Sequence, residues 1–339
     1  MILFDETDVS GWRHASGLAR VSRRLRAELG GAARPARWPA LRTAPGPSDW
    51  VFTPELFAER ERPGVTAFLE RRPCRLAALF HDAIPVKHPG ITWPRSVERH
   101  PAYMKLLARF DRVWAVSAAS RDELLGFWAW QGVARPPPVE VLPLGADWDG
   151  LARETGEGAA APGPPRIVSV GILEPRKNQA LLLDAFQALR EEGLDLELHL
   201  VGRVNPHFGG ALAERVAAMR RRWPGLAHHA AMGDTELAGL VRTARATALA
   251  SIAEGCGLPL LESLWLGVPC VCSAIAPFLE SAEAGGCEVV AGDGLAGWKE
   301  ALRRVLVDGA HRARLAAQAR GRPLPTWAGA ARLLREALG

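Results

Sequence analysis

Two glutamates bracket a glycine-rich turn in one of the most apolar regions of the chain. Glu254 and Glu262 are eight residues apart in the stretch EGCGLPLLE. A preceding apolar run reads as a strand, so Glu254 lies on the loop at the strand's carboxyl end. Pro259 suits the first turn of the helix that follows. Gly255 and Gly257 permit close backbone approach. Backbone amides and the helix dipole at such a turn favour an anion, which predicts a phosphate site.

Glu262 falls about one turn into this helix, among apolar neighbours. A buried glutamate needs partners, and two ribose hydroxyls can donate to its carboxylate. Glu254, nearer the loop, can hold the hydroxyls of a second ring. The pattern indicates a ligand with a phosphate between two hydroxylated rings. The alternative is a common strand-to-helix turn in which a glutamate caps the helix.

A second loop, VGILEPRKNQ, also follows a predicted strand and opens a helix. Arg176 and Lys177 stand at that opening, where Asn178 could be the N-cap. Adjacent cations at a helix N-terminus are unfavourable, and a bound anion would offset this. The alternative is an ordinary exposed basic loop.

The order of predicted elements indicates how these loops are positioned. Strands and helices alternate from RIVSVG to CEVVA, and the first half follows the same logic more weakly. This alternation predicts an α/β fold with two Rossmann-like, doubly wound domains that face a cleft. The predicted parts are a first domain over residues 1–150, a linker over 151–165, a second domain over 166–322, and a C-terminal helix over 323–339 that crosses back to the first domain.

Composition limits the kinds of protein that fit. The 339 residues are 48% hydrophobic and 23% charged, typical of a globular protein. Acidic residues near the start, where a signal peptide would be basic, predict a cytoplasmic protein. Five cysteines without a CxxC pair predict a reducing setting. The net charge is +5, and seven arginines lie between Arg20 and Arg42. Such a face suits an anionic inner-membrane surface or is simply solvated. Nucleic acid is disfavoured because only Trp38 is available there for stacking.

Nearly the whole chain resembles the retaining family-4 glycosyltransferases. EGCGLPLLE is similar to their E-x7-E motif, and VGILEPRKN to their VGTLEPRKN stretch. SGLARVSRRL, FHDAIPVKHP, VWAVSAASRDEL and VLPLGAD resemble segments of their N-terminal domain. The resemblance implies a GT-B fold, a nucleotide-diphosphate-sugar donor without a further cofactor, and a glycan or lipid-linked glycan acceptor in cell-surface polysaccharide synthesis.

The resemblance also implies roles for individual residues. Glu262 would bind the donor ribose and Glu254 the hydroxyls of the donor sugar. Lys177 would bind the diphosphate, and His81 would face the sugar and the acceptor. The remaining implied donor contacts are backbone or apolar groups at Gly17, Gly171, Gly255, Gly257, Leu258 and Pro259. Many members have an arginine directly after the glycine that matches Gly171, where this chain has Ile172, and Arg176 is the predicted substitute.

A retaining transfer by front-side attack is expected, because no carboxylate stands out as a nucleophile. Lys177, Arg176 and helix amides would offset the charge of the leaving group. Asp147 and Asp149 form a D-x-D beside the predicted linker, where a turn is the simpler explanation, so no metal is expected. A nucleotide-sugar-binding protein without transfer activity is the alternative from another class.

Overall fold

A computed structural model describes residues 1–8, 17–148, 150–156 and 163–339. The chain divides into two compact units. The first contains Met1–Gly145 together with Pro325–Gly339, and the second is Ala146–Leu324. In the described part of the chain, no helix is long and apolar enough to cross a membrane.

The first unit is built on a parallel sheet of six strands. Its order is β2-β1-β3-β4-β5-β6, which places the reversal of strand order between β1 and β3. The strands are β1 Ile2–Asp5, β2 Ala33–Ala36, β3 Trp50–Thr53, β4 Arg75–Phe80, β5 Arg112–Ala115 and β6 Val139–Val141. The α-helices of this unit are α1 Gly17–Leu29, α2 Trp38–Leu41, α3 Val65–Arg71, α4 Ile84–Lys87, α5 Pro94–Leu107 and α6 Ala118–Trp130, with 3-10 turns at Gly30–Ala32 and Pro89–Ile91.

Both faces of this sheet are buried. Alternate strand residues such as Leu3 and Val51 join one core cluster. Their neighbours form a row of rings on the other face, with Phe52 centred 5.6 Å from Phe4 and 6.2 Å from Trp114. Apolar residues on both faces of these central strands are what a parallel sheet covered on two sides requires.

The second unit contains the other parallel sheet. Its strands are β7 Arg166–Val170, β8 Glu197–Val201, β9 Leu226–His229, β10 Ala246–Leu249, β11 Cys270–Ser273 and β12 Cys287–Val290. Its α-helices are α7 Gln179–Glu191, α8 Gly210–Arg222, α9 Asp234–Arg242, α10 Leu258–Trp265, α11 Ala276–Ala282, α12 Leu295–Val307 and α13 Gly309–Gly321, with a 3-10 turn at Pro175–Lys177. The last helix of the chain, α14 Trp327–Leu338, belongs to the first unit.

The strand order of the second sheet is β12-β11-β10-β7-β8-β9. Numbered from β7, this is the 3-2-1-4-5-6 order of the dinucleotide-binding fold, in which ligands bind where the order reverses. That point lies between β7 and β10, so the loops after these two strands are brought together. Ile167 and Val168 belong to core clusters on opposite faces. The predicted α/β class with two doubly wound sheets is therefore confirmed.

The change from one compact unit to the other falls between Gly145 and Ala146, and Pro325–Gly339 groups with the first unit. The described start of the predicted linker packs within the second unit, where the Trp265 indole donates to the Leu151 carbonyl at 3.3 Å. Arg153 donates to the carbonyls of Ala319 and Arg320 at 3.1 Å each. This segment is thus part of the second unit's surface.

Candidate functional site

Loops from β7 and β10 meet at the reversal point of the second sheet. The Lys177 ammonium donates to Glu254 Oε1 at 2.5 Å, and the Ser251 hydroxyl donates to the same oxygen at 2.6 Å. A backbone bond of 2.8 Å from Ile252 N–H to the Arg176 carbonyl joins the loops as well. Two segments that the sequence singled out separately thus form one constellation.

Arg176 uses its guanidinium to connect two glutamates. Nη1 donates to Glu254 Oε2 at 3.0 Å and to the Ala253 carbonyl at 2.9 Å. Nε and Nη2 both contact Glu174 Oε1, at 3.1 and 2.8 Å. Every nitrogen of the fork therefore has a protein partner, an arrangement that fixes the position of the Glu254 carboxylate.

Glu174 extends this network to the loop after β8. The amide nitrogen of Asn205, a fully buried residue, donates to Glu174 Oε2 at 2.8 Å. Asn205 Oδ1 in turn accepts from the backbone N–H of His207 at 2.9 Å. The Gln179 side chain donates to the Ile172 carbonyl at 2.9 Å and closes the turn from inside. Glu174, Asn205 and Ser251 were not predicted from the sequence, where their only signal is a polar residue close after a strand; Gln179, the first residue of α7, was not predicted either.

Burial and charge set the ionisation of this network. Burial raises the pKa of Glu254, but Lys177 and Arg176 outweigh it and lower the pKa to about 2. Burial lowers the pKa of Lys177, and the Glu254 carboxylate opposes that change. Glu254 is consequently an anion at neutral pH, held by two cations.

The predicted unfavourable pair of cations has partners within the chain. Arg176 and Lys177 lie in the 3-10 turn before α7 and pair with Glu174 and Glu254. Asn178 precedes α7 in a left-handed conformation and caps no amide with its side chain. Charge balance at this turn is thus achieved without a ligand, which removes the argument that these cations alone demand a bound anion.

Gly257 and Gly171 lie where neighbouring side chains leave little or no room for a Cβ. Gly257 has φ +85, and a Cβ there would lie 2.5 Å from the Phe278 ring. A Cβ on Gly171 would meet the Lys177 side chain at 3.3 Å. Gly255, Gly257, Leu258 and Pro259 lead into α10, with Pro259 in its first turn. These positions connect Glu254, at the start of the loop, to the amino end of α10.

Glu262 lies in α10 and is 7% exposed, as its apolar neighbours predicted. The Trp148 indole donates to its backbone carbonyl at 3.2 Å. Glu262 lies in the second turn of α10 and Glu254 on the loop before this helix, so one loop and its helix carry both carboxylates.

His81 follows β4 in the first unit and is held in one orientation. Its Nε2 lies 2.7 Å from the Pro54 carbonyl. A carbonyl only accepts, so this nitrogen carries hydrogen and Nδ1 of the neutral ring is an acceptor. Burial lowers the pKa of His81, which keeps the ring neutral. The Ser120 hydroxyl donates to the backbone carbonyl of His81, and His100 Nε2 hydrogen-bonds to that of Asp82.

Other predicted positions are less constrained. Gly17 is the first residue of α1, and a Cβ there would meet nothing within 4 Å. Asp147 is described, whereas Asp149 lies outside the described residues. Within the described ranges, no three His, Cys, Asp or Glu side chains are grouped to hold a metal ion.

Comparison with known proteins identifies the family of this chain independently of the site geometry. Residues 153–322 match the profile of the family described as "Glycosyl transferases group 1". The Escherichia coli protein "Serotype-specific mannosyltransferase WbdA" is 30% identical over 220 residues, covering 60% of this chain and 26% of WbdA. "MMP alpha-(1->4)-mannosyltransferase" of Mycolicibacterium hassiacum is 31% identical over 174 residues, covering 50% of this chain and 38% of that protein. Both matches span well under half of the relative's own length.

A solved structure extends the likeness over the whole chain. Sucrose-phosphate synthase (tll1590) from Thermosynechococcus elongatus has a TM-score of 0.71 to this chain at 15% identity, covering 99% of this chain and 97% of that one. At this identity the likeness concerns the fold, which is GT-B, with one Rossmann-like sheet in each unit. With the profile match over the second unit, it follows that this chain belongs to the group 1 glycosyl transferases.

Proposed function

We propose that the protein transfers a sugar, with a mannosyl group as the leading candidate, from a nucleoside-diphosphate sugar to a glycan or lipid-linked glycan acceptor. The single observation that carries this proposal is the convergence of Lys177, Glu254 and the amino end of α10 at the reversal point of the second sheet. The two mannosyltransferase relatives favour mannose as the sugar. The proposal includes a role in cell-surface polysaccharide synthesis, at the cytoplasmic side of a membrane.

The proposed roles follow from the chemistry of each group. Glu262 accepts hydrogen bonds from the ribose hydroxyls of the donor, and Gly257, Leu258 and Pro259 flank its diphosphate. Lys177 exchanges its bond to Glu254 for one to the diphosphate. Glu254 then accepts from hydroxyls of the sugar. A carboxylate already deprotonated by its cations is suited to this, because it can only accept.

The proposed reaction retains the anomeric configuration, as in family-4 enzymes with the E-x7-E motif. The bond from C1 to the diphosphate oxygen breaks, and a bond from C1 to the acceptor oxygen forms on the same face. The acceptor proton passes to the departing diphosphate. Lys177 and the amides of α10 stabilise the developing charge, and no metal ion takes part. The neutral His81 accepts a hydroxyl hydrogen through Nδ1 and orients the substrate that the first unit binds.

Donor binding is tested first, by thermal shift against GDP-mannose and the UDP-, dTDP- and ADP-sugars, because a ligand that binds the folded state raises its stability. The preferred donor is then incubated with octyl α-D-mannopyranoside and octyl β-D-glucopyranoside. Expected results are a shift with one base, a glycosylated product, and the donor's anomeric configuration in the product by NMR. Binding without transfer to any glycan acceptor would support a sugar-nucleotide-binding protein instead, and inversion would refute the retaining mechanism.

Contact with an anionic membrane is also proposed, on the basis of arginines on the first unit. Arg23 on α1 and Arg34 and Arg37 on or beside edge strand β2 are exposed. Flotation with vesicles of phosphatidylglycerol and phosphatidylcholine should recover the protein, and a variant with all three changed to Gln should stay behind. Equal recovery of both proteins would remove these arginines from the proposal.

A further inference from the structure

A charged side chain buried in the first unit has no role in the site described above. Arg62 lies in the turn before α3 and is 2% exposed. Its Nη1 is 2.6 Å from Asp5 Oδ2, and its Nη2 is 2.8 Å from Glu55 Oε2. Nη1 also donates to the Thr53 hydroxyl at 3.2 Å. Burying such a group is costly and is tolerated only when charge and hydrogen bonds compensate it.

The two carboxylates continue outward from Arg62 to one backbone segment. Asp5 Oδ1 accepts from the backbone N–H of Thr7 at 3.1 Å and from its hydroxyl at 2.5 Å. Glu55 Oε2 accepts from the backbone N–H of Asp8 at 2.9 Å. The backbone amides of Thr7 and Asp8, which follow β1, therefore bond to two acids that share Arg62.

The place of this cluster in the fold gives it a functional meaning. Asp5 ends β1, and Glu55 follows β3 by two residues. These strands flank the reversal of order in the first sheet, where open α/β sheets bind ligands. Residues 7 and 8 are the last described before Gly17, the start of α1.

We propose that Arg62 is a positioning residue for Thr7 and Asp8, the described residues that follow β1 on the acceptor side. It orients the carboxylates of Asp5 and Glu55, and these fix the peptides of Thr7 and Asp8. The cation also offsets part of the negative charge of the two buried acids whose oxygens accept these hydrogen bonds. The Phe57 ring lies beneath the guanidinium, with its centroid 4.8 Å from Cζ, and prevents the fork from rotating. The effect on transfer rests on the function proposed above, whereas the effect on the segment does not.

The variants Arg62→Met and Arg62→Lys distinguish this positioning role from a contribution of Arg62 to stability alone. Leu107 is fully buried on α5 of the same unit. Leu107→Ala is therefore the control that lowers stability without touching the Arg62 cluster. Hydrogen exchange of peptides that cover residues 6–8 is followed by mass spectrometry, well below each unfolding temperature. Exchange at Thr7 and Asp8 should accelerate about ten-fold or more in Arg62→Met, less in Arg62→Lys, and not in Leu107→Ala.

The same proteins are then assayed for transfer from the donor found by thermal shift to the octyl glycosides. Arg62→Met should lower kcat by about 10²-fold, the size of effect that small misplacement produces, and Arg62→Lys should recover part of it. The KM for the donor should stay near that of the wild type. Unchanged exchange in folded Arg62→Met, or a kcat no lower than that of Leu107→Ala, would overturn the proposal. If Arg62→Met does not fold, Arg62→Lys decides by the same two criteria. A wild type that transfers to neither acceptor would count against the proposed function, and the exchange experiment would still decide the role of Arg62.

Discussion

Lys177 and Glu254 form an ion pair of 2.5 Å across the reversal point of the second sheet, although 77 residues separate them in the sequence. Only 12% and 10% of their side chains are exposed. In the proposed function this pair opens when the donor diphosphate binds Lys177, so the strength of the ion pair opposes the affinity for the donor.

The first prediction concerns Lys177→Met, which keeps the length of the side chain and removes its charge. Turnover should fall by about 10²-fold or more, as when other donors to a transition-state charge are removed. Steady-state transfer with the identified donor measures this. Glu254→Gln is the companion variant, because it weakens the pair while leaving the cation. A Lys177→Met enzyme with normal kcat would show that the lysine serves only to hold Glu254.

The second prediction separates Arg176 from Arg203. Arg176→Ala removes the partner of buried Glu174, so stability should fall on the order of 3 kcal/mol and transfer should decline with it. Arg203 is exposed and has no ion pair within the described residues, so Arg203→Ala should unfold like the wild type in a denaturant titration. A loss of transfer confined to Arg203→Ala would instead assign to Arg203 the charge missing at Ile172.

The third prediction concerns nucleotide affinity at Glu262. Glu262→Ala should weaken binding of the nucleoside diphosphate on the order of 1–3 kcal/mol, the range for a hydrogen bond to a charged group. Isothermal titration calorimetry measures the change, and circular dichroism verifies that α10 still packs. Glu262→Gln keeps the volume and one acceptor, so it should lose less. Unaltered affinity in folded Glu262→Ala would make this glutamate a packing residue only.

The fourth prediction is a pH dependence of stability. The pKa of Glu254 is about 2 in the folded protein, lowered from 4.5. Its contribution is thus present above about pH 4.5 and is lost as the pH falls toward 2, because the unfolded chain takes up the proton first. The full contribution is about 3 kcal/mol at roughly 1.4 kcal/mol per pKa unit. Denaturant unfolding of wild type and Glu254→Gln should differ most at pH 6 and converge near pH 2. A constant difference across this range would contradict the ion pair.

The fifth prediction is that transfer survives chelation. Lys177 and the amides of α10 supply the positive charge in the proposed mechanism, so activity in EDTA should remain within about two-fold of the untreated enzyme, a change worth under ~1 kcal/mol in the barrier. Transfer assays after dialysis with EDTA test this. Activity that disappears and returns with Mn²⁺ or Mg²⁺ would restore interest in Asp147.

The alternation of apolar runs was enough to predict the fold class and most central strands. The strands it missed are β2 and β9, which lie at the edges of their sheets. Arg34 and Pro35 interrupt the apolar pattern of β2. His228 and His229 make half of β9 polar. Edge strands face solvent on one side, so their sequences lack the continuous apolar character of buried neighbours.

The site was predictable only in part, for a different reason. Residues placed just after a strand could be recognised one loop at a time, as for Lys177 and Glu254. Which carboxylate meets which cation depends on the strand order, and that order is set by packing over the entire unit. The bond from Glu174 to Asn205, which joins the loops after β7 and β8, was for this reason invisible in the sequence, as was the sharing of Arg62 by Asp5 and Glu55.

The return of the chain to its first unit has a consequence for synthesis. A Cβ on Gly145 would lie 2.3 Å from the backbone nitrogen of Trp327, so α14 sits directly on the end of the first unit's main segment. The ribosome makes that helix only after the entire second unit. The unit that begins first is therefore completed last, and until then the nascent chain exposes the surface on α1 that α14 covers. A chaperone that binds apolar helix surfaces should meet this protein there, during translation and not after it.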